Sequence, residues 1–72
     1  MKITNKNIQE GQKYVYTNRF NQTFFYIYLG NTKEVKEVEY YCFKVEDCLT
    51  GLTKEGVYLL TEDDLKNLKK VS

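Results

Sequence analysis

Histidine is absent from this chain, and with it the commonest general base near neutral pH. No Cys–His or Ser–His–Asp arrangement can be assembled from the residues present. Cysteine occurs only at Cys42 and Cys48, whereas a structural zinc normally takes four Cys or His ligands. The two thiols fall in a stretch that begins as a strand, which holds their side chains apart. Both are therefore read as reduced, with Cys42 a small core residue. Glycine is too sparse for a phosphate-cradling loop: Gly51 and Gly56 are separated by Leu-Thr-Lys-Glu, and no Gly-Lys-Ser/Thr follows. Glu46 and Asp47 do not match an EF-hand loop. The other carboxylates fall where a solvated surface or a helix start predicts them. No catalytic residue, metal ligand or cofactor is assigned, and the expectation is a protein that is not an enzyme.

Charge of one sign is also missing. The formal net charge is +1, with a single arginine, Arg19, against ten lysines. That lacks the basic excess of an electrostatic nucleic-acid footprint. No apolar run approaches the length of a membrane span, and Met1 to Asn7 carries no apolar h-region, so a cytoplasmic protein without membrane contact is expected. Proline and alanine do not occur, while Asn, Lys and Tyr are abundant. The bias fits an AT-rich coding sequence of the kind found in low-GC bacteria and their phages.

Seventy-two residues make one domain, 1–72, too small to bury a large fraction of its surface without help. With disulfide and metal set aside, association is the expected aid. What the chain has in plenty is aromatic side chains in alternating runs. Lys13 to Thr17 puts Tyr14 and Tyr16 on one face, and Thr23 to Leu29 puts Phe24, Tyr26 and Tyr28 opposite Phe25, Ile27 and Leu29. Asn18 to Gln22 reads as the turn between these two strands. Thr32 to Glu39 reads as a charged loop and the beginning of a third strand, which becomes apolar from Tyr40 to Val45. Residues 47–56 form a connection, and Val57 to Leu60 is a short fourth strand or an extended lead-in. Near the N-terminus, Thr4 or Asn5 caps a turn that ends at Gly11.

The C-terminal helix has the clearest start. Thr61 is a good N-cap, Glu62, Asp63 and Asp64 oppose the positive end of the dipole, and Asp64 completes a variant capping box. Leu60 and Leu65 are spaced as a hydrophobic staple, and Leu65, Leu68 and Val71 form a narrow stripe. A helix of about ten residues needs a surface to pack on. The face bearing Phe25, Ile27 and Leu29 is the expected one. The expected fold is therefore α+β: an antiparallel three-stranded sheet, with a possible short fourth strand, and one C-terminal helix on one face. The other face, with Tyr14, Tyr16, Phe24, Tyr26 and Tyr28, or an open strand edge, is left as the seam of a homodimer or the contact for an unidentified host protein. Half-burial of such rings is worth on the order of 1–3 kcal/mol each, enough for a dimer. The alternative is a single-stranded nucleic-acid-binding module that stacks bases on Tyr14, Tyr16, Tyr26 and Tyr28 with Lys13, Arg19 and Lys44 beside them. The near-zero net charge argues against it.

Gly11-Gln12-Lys13-Tyr14-Val15-Tyr16, the run Phe24 to Gly30 and the ending Leu60-Thr61-Glu62-Asp63-Asp64-Leu65 resemble the YopT-type family of small uncharacterised prophage-encoded proteins over the whole length. The resemblance implies a homodimer whose monomer has three strands and one helix, with residues 57–60 an extended lead-in. It brings no assigned function and no site residues.

Overall fold

The computed structural model describes residues 2–71. It is mostly β: a five-stranded antiparallel sheet with one short helix. Strands β1 (Lys13–Thr17), β2 (Thr23–Val35), β3 (Val38–Asp47) and β4 (Tyr58–Leu60) are followed by α1 (Glu62–Leu65) and β5 (Lys69–Lys70). The order across the sheet is β4-β3-β2-β1-β5. Residues 57–60 thus hold a true fourth strand, with Cys42 opposite Leu59, and are not merely a lead-in to the helix. A fifth strand, unexpected from the sequence, pairs Lys69 with Val15 and Lys70 with Tyr14.

The helix is shorter than its sequence signals indicate. Thr61 is the N-cap, its hydroxyl accepting from the Asp64 N–H at 3.3 Å while the Asp64 carboxylate accepts from the Thr61 N–H at 3.0 Å. Leu65 donates to Thr61 O at 3.3 Å, four residues back, while Lys66, Asn67 and Leu68 each donate to the carbonyl three residues back. In that tighter winding, residues three apart stack over one another, so Leu65 and Leu68 face the same way and both are buried. The chain then straightens, because the free edge of β1 offers hydrogen bonds that a second helical turn would forgo. Val71 N–H donates to Lys13 O at 3.1 Å.

Residues 61–68 join strands at opposite edges of the sheet. Coiled at about 1.5–2 Å per residue, that segment reaches about 12–16 Å, short of the roughly 19 Å between the edges of a flat five-stranded sheet. The sheet therefore curls, and its concave face is the aromatic one. Directly paired residues share a face, so Tyr14↔Tyr26 and Tyr16↔Phe24 on one side, and Tyr26↔Val45 and Tyr28↔Phe43 on the other, make one continuous layer.

This corrects the expected placement of the lid. Leu65, Leu68 and the N-terminal Ile3 close over Tyr14, Tyr28, Tyr41 and Phe43, with Ile8, Tyr16, Tyr26 and Leu60 packed around them. The core contains edge-to-face pairs, among them Tyr16 and Tyr26 with ring centroids 5.6 Å apart. The face with Phe25, Ile27 and Leu29 is the convex, outer one. A stripe of two leucines and a valine was too narrow a lid for the tyrosines. The N-terminal segment and the curl supply the rest.

The N-terminal turn is capped by Thr4, whose carbonyl accepts from Asn7 and Ile8. It closes there and not at Gly11. The hairpin between β2 and β3 is longer than expected: the charged segment is not a loop but paired strand, with Val35 opposite Val38 and a two-residue turn at Lys36 and Glu37. Both have positive φ, 50° and 68°. An irregularity between Tyr28 and Thr32 interrupts the ladder. Gly30 lies inside it at φ 87°, and a Cβ there would run into the Glu10 side chain.

Candidate interaction surface

Two loops meet at one end of the sheet. The first, Asn18 to Gln22, joins β1 to β2 and is closed by Asn18. Its Oδ1 accepts from the N–H groups of Phe20 at 2.9 Å and Gln22 at 3.0 Å, and its own N–H donates to Gln22 O at 2.9 Å. Asn21 sits in the left-handed region at φ 63°, which asparagine tolerates better than most residues. The second loop follows β3 and is closed by Asp47. Its Oδ1 accepts from Leu49 N–H at 2.8 Å and Thr50 N–H at 3.1 Å, its carbonyl accepts from Gly51, and its N–H donates to Leu52 O. The N–H groups of Thr50 and Leu49 hold the Asp47 carboxyl below the usual carboxylate range.

With the backbone satisfied in this way, three large apolar side chains are held in water. Phe20 is 71% exposed, Leu49 92% and Leu52 70%. Between the loops lies a cleft of about 360 Å³, with Asn21, Gln22 and Phe24 on one side and Asp47, Cys48 and Leu49 on the other. The Cys48 thiol donates to Thr23 O at 3.0 Å across it. The cations nearby lie on rings: the Arg19 guanidinium is 5.1 Å from the Phe20 centroid, and the Lys54 ammonium 4.4 Å from that of Phe24.

The five residues expected to form an interface differ in how much surface they keep. Tyr14 and Tyr28, 1% and 9% exposed, belong to the core of a single chain and have no surface left to offer a partner. Tyr16 and Tyr26 are half-buried against that core. Burial raises the phenol pKa of Tyr26, with Tyr16 adding to the effect, and burial raises those of Tyr28 and Tyr41 as well. Phe24 alone reaches the cleft. The exposed residues Phe20, Leu49 and Leu52 were passed over because each lies in a polar connection. Their signal was there: a large apolar residue in the middle of a turn that has no strand or helix of its own to bury it.

Both cysteines are free, Cys42 buried and Cys48 half-buried. Among the described residues no group of three or more His, Cys, Asp or Glu side chains is placed to hold a metal ion. Among them, too, no helix is long and apolar enough to cross a membrane. Comparison with protein-family models, with curated proteins and with solved structures gave no match.

Proposed function

We propose that this chain is a small non-enzymatic binding factor that acts as a homodimer, with the apolar end at Phe20, Leu49 and Leu52 as its contact surface. The supporting observation is that these three side chains are fixed outward by hydrogen-bonded turns while the internal core is complete without them. Large apolar groups on ordered loops, without a role in the fold, are the pattern of an interaction site. The homodimer and the prophage setting implied by the resemblance to the YopT-type family agree with this reading.

Burying three such side chains on each of two copies is worth about 9–18 kcal/mol at about 1.5–3 kcal/mol each. Association costs about 4–15 kcal/mol. The two ranges overlap, so a dimer is within reach, and a partner protein with a better-fitting groove could replace the second copy. Sedimentation velocity over a concentration series reaching about 1 mM tests the reading. The native chain should shift from monomer to dimer. The triple variant Phe20→Ser, Leu49→Ser, Leu52→Ser should remain monomeric with unchanged thermal stability. A native chain that is monomeric throughout overturns self-association, and a triple variant that still dimerises overturns its location.

A further inference from the structure

The small net charge conceals a division of charge between the two sides of the sheet. On β1, β3 and β5 the convex face carries Lys13, Lys44 and Lys69, and on the extended hairpin it carries Lys33. Its one carboxylate on the strands of that face, Glu46, is already paired with Lys13 at 3.1 Å. Lys33, Lys44 and Lys69 are exposed and make no ion pair among the described residues. The concave side and its lid carry lysines too, Lys70 among them, but they also hold a group of carboxylates. Glu34 and Glu39 face each other across the hairpin, and Glu39 shares a cleft with Glu62 and Asp63.

Between the lysines the convex face is apolar and aromatic. Phe25 and Tyr40 are half-buried in it. Regular strand spacing places Lys69 about 8 Å from Lys13, Lys13 about 10 Å from Lys44, and Lys44 about 14 Å from Lys33. The lysines therefore mark a path of about 30 Å across the sheet, long enough for several nucleotides. The Lys13 ammonium lies 5.0 Å from the Phe25 centroid, held there only by a half-exposed ion pair of the kind worth less than about 1 kcal/mol. An incoming base can take that position over the ring as the Lys13 side chain swings aside.

We infer that the convex face binds single-stranded nucleic acid without sequence preference, through phosphate contacts from Lys33, Lys44 and Lys69 and base stacking on Phe25. The favoured ligand is a polyanion that also presents flat apolar faces, because lysines and rings alternate on one surface; an acidic protein segment would use the lysines alone. The same charge pattern disfavours a second copy here, since two such faces would bring like charges together. The site is separate from the apolar end, so either reading can fail without the other.

The test is fluorescence anisotropy with a labelled oligothymidylate of about twelve nucleotides. Three phosphate contacts predict that the binding constant falls on the order of a hundredfold for a tenfold rise in salt. Lys44→Glu with Lys69→Glu should weaken binding at least about tenfold and flatten the salt dependence. Lys2→Glu with Lys6→Glu makes the same change in net charge on the lidded side and should have little effect. Phe25→Leu, which keeps the packing and removes the ring, should weaken binding severalfold. Circular dichroism of each variant confirms that the fold is kept. No binding at low salt, equal loss in the two double-lysine variants, or undiminished binding by Phe25→Leu overturns the inference. So does equal affinity for a duplex of the same length or for an oligoglutamate peptide.

Discussion

Lys13 and Glu46 meet across the intervening strand β2, Nζ 3.1 Å from Oε1, with the Phe25 ring beneath the ammonium. The pair lies on the outer face of the sheet and both side chains are partly exposed. Its Coulomb energy is screened, and its main structural effect is to lay the lysine stem over an aromatic ring. Glu46→Gln should therefore cost less than about 1 kcal/mol, whereas Lys13→Ala, which also uncovers the ring, should cost more. Urea unfolding of the two variants measures the difference. Equal losses would mean that the charge, and not the covering stem, carries the effect.

The turn at Lys36 and Glu37 places two residues with ordinary side chains at positive φ, in a hairpin geometry that favours Asn-Gly. Replacing the pair by Asn-Gly should stabilise the protein by about 1 kcal/mol, raising the midpoint of thermal unfolding by about 4–8 °C. Calorimetry reads this directly. An unchanged midpoint would mean that the unfolded chain already favours the bend.

The same turn shows where sequence reading stopped. Strand identity was legible wherever aromatic or β-branched residues alternated, as in Lys13 to Thr17 and Thr23 to Leu29. The ladder from Thr32 to Glu39 was not, because its side chains are charged on both faces and its turn lacks glycine. The N-cap at Thr61 was legible because capping is local chemistry. The end of the helix was not, since Leu65, Leu68 and Val71 satisfy a short tight winding followed by a strand as well as they satisfy a longer helix. Which face received the lid depended on how far the sheet curls, and that is set by the reach of residues 61–68, not by any single side chain. The site residues followed the same logic. Aromatic alternation marked a surface in need of cover, part of which comes from within the chain, whereas Phe20, Leu49 and Leu52 are exposed in loops that carry no periodic signal.

Acid should loosen the loop after β3 before the rest of the protein. The folded-state pKa of Asp47 is depressed by hydrogen bonds from Thr50 and Leu49. Its contribution is therefore complete above the usual carboxylate range and is lost as the pH falls through the lower, folded value. The amide resonances of Leu49 and Thr50 should shift together in that acidic window, and Asp47→Ala should abolish the transition. In that variant Leu49 and Leu52 are no longer held outward, so self-association should weaken as well. An Asp47→Ala protein with native affinity would separate the loop's order from its binding role.

Alkali should act on the core. The phenols of Tyr26, Tyr28 and Tyr41 are raised, chiefly by burial. A raised folded-state pKa means that the stabilisation is present below the ordinary phenol value and lost as the pH rises through the folded one. Ultraviolet titration should show the phenols of Tyr26, Tyr28 and Tyr41 ionising late, in step with loss of the circular-dichroism signal. Smooth titration of all of them ahead of unfolding would place those rings in contact with water.

The seam between β1 and β5 links segments far apart in sequence: Val71 donates its N–H to Lys13 O, and the Gln12 side-chain amide donates to Val71 O at 3.0 Å. During synthesis the outer edge of β1 consequently stays bare until Lys69 to Val71 have left the ribosome. A nascent chain halted before Lys69 would display that edge beside a half-lidded aromatic layer, ready to pair with any other unfinished strand. The arrival of Lys69 and Lys70, and not the emergence of the first hairpin, is then the moment at which this sheet becomes safe from its neighbours.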